Sequence, residues 1–485
     1  MTDIAFRSAT QLLAALKVGE ISAVEMLEHY LARVERYDGA LNAVVVKDVE
    51  RAKARAAALD TERLRGDRIR PLHGLPMTIK ESFNIAGLPT CWGVPDAADK
   101  LATADSVVVS RLTRAGANIF GKTNVPVMLG DWQSYNPVYG TTNNPWNTAH
   151  SPGGSSGGSA AALAAGLTGL EFGSDIGGSI RVPAHFCGVY GLKPTQHLIP
   201  ARGQTLFDSV DEEDLNVVGP LARDVEDLEL ALDLTAGPDL LDADAWTLSL
   251  PAEDRRSLAE YKVAVWNDSA IAPVDGAVGA ALQSVVDQLA SRGAVVDDRA
   301  RPDVSDADLY RLYIDLLQPI VTMGAPEAEV GMAKAGVGDL DPQDMSRQAM
   351  RMRALTMTHQ DWISRNEARQ KLRYQWHDFF GSYDVVLAPV MGVAAFPHDQ
   401  SEDRGARELT VNGTQLYYGA QIFWPGICNT AGLPAVAVPI GQTPDGLPVG
   451  MQIIAPHWHE KRAIQFARLV KSEVGGFQPP PGFGT

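Results

Sequence analysis

Two segments rich in serine and glycine carry side chains that could act as nucleophiles. The first runs from Ser151 to Ser159 with the sequence SPGGSSGGS, and AAALAAG, which strongly favours helix, follows it directly. Its glycines are therefore expected at a helix N-terminus, where exposed backbone amides and the helix dipole favour negative charge. This position favours a reactive loop over a flexible linker.

The second segment is GSDIGGSIR, from Gly173 to Arg181. Two glycines before a serine leave consecutive backbone amides free to turn towards a reacting oxygen, as in an oxyanion hole, with the hydroxyl of Ser179 beside them. Glycine is concentrated between residues 153 and 191, which contain both segments. The local excess of glycine therefore points to loops that present bare backbone.

A serine nucleophile needs a neighbouring base at neutral pH, and the usual base is histidine. His150 and His185 flank the two segments but are better explained as structural residues. Lys80 ends the short apolar segment GLPMTIK. Such a lysine either reaches solvent with its charged end or is buried, with a lowered pKa, and can act as the base.

A nucleotide-binding P-loop is suggested by the pattern GANIFGKT at residues 116–123. Its interior residues resemble a strand, and Pro126 follows too closely for an uninterrupted helix beginning at Lys122. The sequence therefore predicts a helix ending at Gly116, a short strand and a turn, and not a nucleotide-binding protein.

A nucleophile elbow of the α/β-hydrolase type is suggested by Gly154-x-Ser156-x-Gly158. This alternative needs a histidine late in the chain, a role for which His457 or His459 would have to serve. Labelling of Ser156 by a serine-reactive reagent would favour it.

The composition restricts the classes of function. The 485 residues include 42 basic and 59 acidic side chains, a formal net charge of −17, which argues against non-specific binding to nucleic acid or an anionic membrane. Cys91, Cys187 and Cys428 are too few and too far apart for a disulfide scaffold or a paired-cysteine metal cluster. No signal-like N-terminus and no apolar run of about 18 residues is present, so a cytoplasmic location is expected.

Strand-like and helical segments alternate along the chain, which predicts an α/β fold. Ser22 and Glu25 form a capping box before apolar residues at helical spacing. Residues 304–380 are mostly helical and are predicted to form an insertion on one face of the sheet, a candidate lid. Further helices are predicted at 49–64, 106–115, 159–165, 225–234, 277–291 and 460–471, and strands at PMTIKES, ANIFGKT, YKVAVW, GAVVDD, YDVVLAPV, LPAVAVPIG and VGMQIIAP.

Taken together, these motifs resemble the amidase signature family of serine hydrolases. The segments GLPMTIK, GKTN, NPWN, SPGGSSGGSAAALAAG, GSDIGGSIRVPAHFCGVYGLKPT, GLPAVAVPIG and DGLPVGMQIIAP occur in the family's order. The likeness spans nearly the whole chain and implies one domain, residues 1–485, with a signature core at about 70–225. It implies a central mixed, twisted β-sheet covered by helices on both sides, and neither a cofactor nor a metal.

The resemblance also implies a Ser-cisSer-Lys triad. Its lysine falls on Lys80, its cis-serine on Ser155 and its nucleophile on Ser179. In that triad the lysine takes the proton of the cis-serine, which takes that of the nucleophile, and attack on the carbonyl gives an acyl-enzyme. Lys80 must be largely neutral for this reaction, so burial is expected to lower its pKa. The family's oxyanion hole falls on the backbone amides of Ile176, Gly177, Gly178 and Ser179.

Other residues near the two loops are expected to support this arrangement. Gly154 eases the steric demands of the cis peptide before Ser155, and Ser156 is expected to form hydrogen bonds in the same cluster. Asp175 and Arg181 are predicted to form an internal ion pair that fixes the nucleophile loop. Recognition of a substrate carboxylate by Arg181 is the alternative.

The predicted function is hydrolysis of an aryl or alkyl amide to a carboxylate and an amine or ammonia. A roomy apolar pocket is predicted, with core packing as the alternative for its aromatic residues. Hydrolysis of a carbamate or an ester by the same triad remains open. The expected partner is a small-molecule amide or carbamate, without nucleic acid or membrane, and a homodimer is a family-level expectation. The predicted pocket residues are Met128, Leu129, Trp132, Tyr135, Phe423 and Trp424.

A third alternative is the glutaminase subunit of a tRNA-dependent amidotransferase, which resembles this chain across the signature region. Its members commonly have Asp-Asn after the lysine, whereas Glu81 and Ser82 follow it here. They also usually have small and acidic residues where this chain has MLGDWQSYN. Both differences favour an amidase that acts alone.

Overall fold

A mixed β-sheet between helices forms the centre of the computed structural model, which describes residues 3–206, 209–210 and 212–484. Elements are numbered in chain order. The strands are β1 (Val44–Lys47), β2 (Pro76–Lys80), β3 (Asn118–Thr123), β4 (Tyr135–Asn136), β5 (Gly140–Thr141), β6 (Glu171–Asp175), β7 (Tyr190–Lys193), β8 (Val217–Ala222), β9 (Lys262–Val265), β10 (Val295–Asp297), β11 (Val385–Pro389), β12 (Glu408–Val411), β13 (Thr414–Tyr417), β14 (Ala435–Gln442) and β15 (Pro448–Ile454).

Helices flank the sheet, and each helix predicted from the sequence is present. The capping box of Ser22 and Glu25 begins the second of them, as predicted. The α-helices are α1 (Ala9–Val18), α2 (Ala23–Leu41), α3 (Val49–Leu64), α4 (Val107–Arg114), α5 (Gly157–Ala164), α6 (Arg181–Cys187), α7 (Val225–Thr235), α8 (Gly276–Ser291), α9 (Asp306–Val321), α10 (Glu327–Gly336), α11 (Arg347–Thr356), α12 (His359–Phe379), α13 (Phe423–Asn429) and α14 (Glu460–Val474).

The large sheet has the strand order β10-β9-β11-β15-β14-β7-β8-β6. β10, β9 and β11 pair in parallel, and the remaining neighbours pair antiparallel. The predicted α/β fold with a mixed sheet is confirmed, as are the predicted strands. β6, β7 and β8 were not predicted, because residues such as Gly173 and Pro220 disfavour strands and burial overrides that propensity.

A smaller sheet brings Lys80 to the edge of the large one. Its order is β1-β3-β2, with β2 and β3 parallel. The side chain of Thr78 on β2 donates a hydrogen bond to Glu171 on β6, and the Thr78 amide donates to Thr168 at 2.8 Å. The ends of β2 and β6 therefore lie side by side, which places Lys80 next to the loop that follows Asp175.

Helices α9 to α12 account for residues 306–379, so the predicted insertion at 304–380 is helical. Trp376 on α12 and Ile314 on α9 pack in a buried apolar cluster with residues of β9, β11 and α13. A second cluster joins α9 to Ile176 and Leu215 in the loops beside β6 and β8. The insertion thus contacts the loop that contains the predicted nucleophile.

Among the described residues, no helix combines the length and the apolar character needed to cross a membrane.

Candidate active site

Lys80 is fully buried at the end of β2, between two serines. Its Nζ atom donates hydrogen bonds to Ser155 Oγ at 2.6 Å and to Ser174 Oγ at 2.9 Å. Burial lowers the pKa of Lys80 to about 7, although the nearby carboxylates, of which Asp175 has the largest effect, oppose that change. The sequence-based expectation that burial lowers this pKa is confirmed, and the alternative in which Lys80 reaches solvent is wrong.

The loop before α5 carries the cis peptide that the family resemblance implies, between Gly154 and Ser155. A Cβ atom on Gly154 would overlap the Asp131 carbonyl oxygen and lie 2.9 Å from the Gln133 amide nitrogen. Ser134 Oγ donates to the Gly153 carbonyl and accepts from the Gly157 amide, each at 3.1 Å. The loop is therefore held against residues 131–134, and a side chain at position 154 would break this contact.

Ser179 lies just before α6, and its loop is tied to the first one through the backbone. The Ser156 amide donates to the Ser179 carbonyl at 3.1 Å. Ser179 is 6% exposed, whereas Ser155 and Ser156 are almost completely buried, so a ligand can reach Ser179 more readily. Among the described residues, no hydrogen bond joins the Ser179 and Ser155 hydroxyls. Of the two hydrogen bonds that the implied triad requires, the one between Lys80 and Ser155 is therefore formed and the one between Ser155 and Ser179 is not.

The loop of residues 176–179, called the oxyanion loop below because the resemblance places the oxyanion hole there, has fewer free amides than the resemblance implies. The Gly178 amide donates to Asp175 Oδ1 at 2.8 Å, so it is already engaged. Within the described part of the chain, the amides of Ile176, Gly177 and Ser179 have no hydrogen-bond partner. These three amides are free to donate to an oxyanion, whereas the Gly178 amide helps to fix the conformation of the loop through its bond to Asp175.

Asp175 and Arg181 form the predicted internal pair. Both side chains are completely buried, with Arg181 Nη2 2.9 Å and Nε 3.0 Å from the two oxygens of Asp175. Burial alone would raise the pKa of Asp175, but the charge and hydrogen bonds of Arg181 outweigh burial and hold the pKa well below its usual range. The remaining donors of Arg181 reach Gln452 Oε1 at 2.6 Å and Asn429 Oδ1 at 2.7 Å. Because the protein occupies this guanidinium, Arg181 does not bind a substrate carboxylate.

Replacing Arg181 with methionine should lower the free energy of unfolding by about 3–5 kcal/mol, because it leaves the buried Asp175 carboxylate without its counter-ion. Urea unfolding of the two proteins measures this difference. The control is Arg292→Met, which breaks an exposed pair with Glu473 and should cost less than about 1 kcal/mol. Equal losses in the two variants would show that the buried pair does not hold the loop.

The segment 128–135 contributes to the site mainly through Trp132. Its Nε1 atom donates to the Gly177 carbonyl at 2.9 Å. Tyr135 accepts a hydrogen bond from Arg407 at 2.8 Å, and Arg407 pairs with the buried Asp131 at 2.6 Å. Trp132 and Tyr135 therefore belong to a network that braces both loops.

The other predicted pocket residues lie in different surroundings. Met128 is 51% exposed, and Leu129 packs against the small cluster that contains Trp92. Phe423 and Trp424 are buried in the cluster beneath the insertion, and Trp424 Nε1 donates to the Ala272 carbonyl at 2.9 Å. Phe423 and Trp424 are therefore core residues and not pocket residues, because α13 turns their side chains towards the insertion.

Among the described residues, no histidine forms a hydrogen bond with a candidate nucleophile. His457 Nε2 lies 2.7 Å from the Ala431 carbonyl, and His459 Nδ1 lies 2.9 Å from the His457 carbonyl. Ser156 Oγ, the nucleophile of the elbow alternative, donates to the Ser174 carbonyl at 3.5 Å and not to a histidine. His185 is buried between Val393 and Gly450, which confirms its structural role. An elbow that uses Ser156 with a late histidine therefore has no support.

The P-loop pattern is structural, as predicted. Residues 118–123 form β3, and Lys122 is buried with its Nζ atom donating to the Pro89 carbonyl and to Thr90 Oγ1. Among the residues that the structure describes, no three His, Cys, Asp or Glu side chains come together as metal ligands would.

Sequence reasoning missed three residues of this site. Ser174 holds Lys80, and Tyr313 and Asn429 each donate to the Ile176 carbonyl at 2.7 Å. Ser174 could have been identified from the sequence, because it lies inside the motif GSDIGGS. Tyr313 could not have been identified, because its position in the amphipathic helix α9 is that of an ordinary core residue.

Comparison with known proteins identifies the family. The amidase family profile matches residues 25–464. Indoleacetamide hydrolase of Bradyrhizobium diazoefficiens is 34% identical over 477 residues, which cover 96% of this chain and 86% of that protein. A glutamyl-tRNA(Gln) amidotransferase subunit of Anaeromyxobacter dehalogenans is 32% identical over 490 residues, 96% of each chain.

A solved structure shares the fold. The crystal structure of a bacterial aryl acylamidase of the amidase signature enzymes family superposes with a TM-score of 0.80 and covers 96% of each chain at 24% identity. The profile match extends over most of the sequence, and the relatives align almost from end to end. This chain therefore belongs to the amidase family, and its motifs are those of the amidase signature enzymes.

Proposed function

We propose that this chain hydrolyses a carboxylic amide to a carboxylate and an amine or ammonia through an acyl-enzyme on Ser179. The observation that carries this proposal is the 2.6 Å contact between Lys80 Nζ and Ser155 Oγ, made by a lysine whose pKa is about 7. A neutral amine at this distance can accept the hydroxyl proton. A base with a pKa near the working pH is the most effective.

The relay starts from neutral Lys80. Lys80 Nζ takes the proton of Ser155 Oγ, Ser155 takes the proton of Ser179 Oγ, and Ser179 Oγ bonds to the carbonyl carbon. We propose that bound substrate brings the Ser179 hydroxyl within hydrogen-bond distance of Ser155, the link that is open here. The carbonyl π electrons move to its oxygen, where the free amides of the 176–179 loop stabilise the charge.

Collapse of the tetrahedral intermediate breaks the carbon–nitrogen bond. The proton on Lys80 returns through Ser155 to the leaving nitrogen, so the amine departs neutral and Lys80 is neutral again. Water then gives a proton to Ser155, which passes its own to Lys80, and the water oxygen attacks the acyl carbon. Collapse of this second tetrahedral intermediate releases Ser179 Oγ, which recovers its proton through the same relay, and frees the carboxylic acid, which loses its remaining proton to solvent.

Aryl and alkyl amides are the proposed substrate class. Trp132 lies beside the oxyanion loop, and Ile422 comes within 3.4 Å of the position of a Cβ on Gly177. These apolar groups suit an apolar acyl chain. The relative named indoleacetamide hydrolase, at 34% identity, supports an amide with an aryl group near the carbonyl.

A glutaminase subunit remains the second candidate, because a relative that bears the name of an amidotransferase subunit is 32% identical. The carboxylate of Glu81 accepts from the amides of Cys91 at 2.7 Å and Trp92 at 3.0 Å. Glu81 therefore fixes a neighbouring loop instead of facing a substrate. This residue, which differs from the Asp that is common in the glutaminase subunits, favours the amidase.

Purified chain without any partner should hydrolyse indole-3-acetamide and 4-nitroacetanilide faster than glutamine, because the apolar side chains of Trp132 and Ile422 lie beside the loop of residues 176–179. The measurement is release of ammonia or 4-nitroaniline across a panel that also includes an aliphatic amide, a carbamate and an ester. Faster turnover of the carbamate would make this chain a urethanase. Turnover of glutamine alone would favour the glutaminase subunit, and no turnover of any member would contradict the proposal.

A further inference from the structure

Two hydrogen bonds hold the peptide between Ile176 and Gly177 from one side. The Ile176 carbonyl oxygen accepts from the Tyr313 hydroxyl and from Asn429 Nδ2, each at 2.7 Å. These two bonds fill both lone pairs of the carbonyl oxygen. A trans peptide is planar, so the Gly177 amide must point in the opposite direction, away from Tyr313 and Asn429.

Both donors are themselves held in place. Arg181 can only donate hydrogen bonds, and it lies 2.7 Å from Asn429 Oδ1, so Asn429 must turn its nitrogen towards Ile176. The ring of Tyr313 is completely buried, and a Cβ on Gly426 would lie 2.5 Å from it. Burial raises the pKa of Tyr313, so its hydroxyl stays protonated and remains a donor.

The next peptide of the loop behaves differently. The Gly177 carbonyl accepts from Trp132 Nε1 at 2.9 Å, and the Gly178 amide donates to Asp175 at 2.8 Å, so both ends of that peptide are satisfied within the protein. The peptide between Ile176 and Gly177 is satisfied at its carbonyl end only. Its free N–H is therefore a donor with a fixed direction and no partner among the described residues.

We infer that Tyr313 is a positioning residue for amide hydrolysis: with Asn429, it aims the Gly177 amide at the substrate oxygen that becomes negatively charged. This inference rests on the proposed function. Leu316 and Leu317 of the same helix pack in one cluster with Ile176, so α9 holds this residue through its side chain as well as its carbonyl. Through these contacts of α9, the helical insertion is part of the catalytic architecture.

The test is Tyr313→Phe, which removes one oxygen atom and leaves the ring packing. With 4-nitroacetanilide, kcat should fall about tenfold while KM is unchanged, because the lost bond matters when charge develops on the substrate oxygen. A trifluoromethyl ketone, which forms a charged adduct with the nucleophilic serine, should bind more weakly by the same factor. Active sites are counted by sulfonyl fluoride labelling, so any unfolded fraction does not affect the comparison.

The matched control is Tyr310→Phe. Tyr310 is buried one turn earlier on the same helix, and its hydroxyl makes no hydrogen bond among the described residues. This variant should match the wild type in kcat, KM and ketone binding. Equal losses in the two variants would reduce Tyr313 to a packing residue.

An unchanged kcat in Tyr313→Phe would also overturn the inference. If KM rises while kcat is unchanged, the Tyr313 hydroxyl contributes to substrate binding instead. The proposed function fails separately, if the wild-type chain hydrolyses no amide or if the sulfonyl fluoride does not label Ser179.

Discussion

Replacing Ser179 with alanine should lower kcat for amide hydrolysis by roughly 10⁴- to 10⁶-fold. The variant loses the only atom that forms the acyl bond in the proposed reaction. The free amides of residues 176–179 and the amine of Lys80 remain in this variant and should account for the residual rate. Single-turnover measurement with 4-nitroacetanilide detects a loss of this size, and the thermal melting temperature should stay close to that of the wild type.

Chemical labelling tests the same assignment. A sulfonyl fluoride should add mass to the peptide that contains Ser179 in the wild type, and Ser179→Ala should remove that label. The matched control is Ser159→Ala in the first glycine-rich segment, where the hydroxyl bonds to Thr123 Oγ1 at 2.8 Å. This control should keep both label and turnover. A label on Ser156 would instead support the elbow, and turnover retained by Ser179→Ala would refute the nucleophile.

The local sequence predicted the parts of the site that single motifs encode. Lys80 and Ser179 each stand at the end of a short pattern whose residue types carry chemical information, and the structure buries Lys80 as expected. Gly154 was expected for the cis peptide before Ser155, which the structure contains, and the Asp131 carbonyl, which fills the space of a Cβ at this position, gives a second reason for glycine.

The sequence did not predict contacts that depend on distant segments meeting. Tyr313 and Asn429 lie more than 130 and 250 positions beyond Ile176, and no local pattern links them to it. The engaged amide of Gly178 is a similar case, because it depends on the direction of a side chain three residues earlier. Trp424 was misassigned because an aromatic residue looks the same in a pocket lining and in a core.

Strand prediction failed where burial outweighs intrinsic preference. β6 carries Gly173 and two acidic residues, yet every residue of the strand is buried against β8 and β2. Glu171 is held there by Thr78 and by the Phe172 amide, and burial raises its pKa to about 8. A buried carboxyl in a strand contradicts the usual pattern, so only the three-dimensional packing explains it.

Replacing Lys80 with methionine should lower kcat by about 10³-fold or more, because no other amine contacts Ser155 among the described residues. In the wild type, log kcat/KM should rise with unit slope below pH 7 and level off above it, since only the unprotonated amine accepts the proton. Lys80→Met should lack this rise of kcat/KM with pH, which is called the pH limb below. pH–rate profiles with 4-nitroacetanilide measure both effects.

The control for this experiment is Lys122→Met. Lys122 is also fully buried, and burial lowers its pKa to about 8, but it donates to Thr90 and the Pro89 carbonyl and not to a serine. The control should keep the pH limb of the wild type even if it is less stable. Loss of the limb in Lys122→Met, or its survival in Lys80→Met, would show that Lys80 is not the base.

Stability should change in the direction opposite to activity in Lys80→Met. The folded protein holds the pKa of Lys80 near 7, below its ordinary value of 10.5, so between these pH values the unfolded chain binds more protons and wild-type stability rises with pH. The cost of burying this lysine is therefore complete below pH 7 and disappears towards pH 10.5. Methionine removes that cost, and Lys80→Met should be more stable than the wild type at neutral pH, with the difference shrinking as the pH rises. Urea unfolding at pH 6 and pH 10 tests this sign, and a variant that is less stable at both would mean that the hydrogen bonds to Ser155 and Ser174 outweigh the burial of the amine.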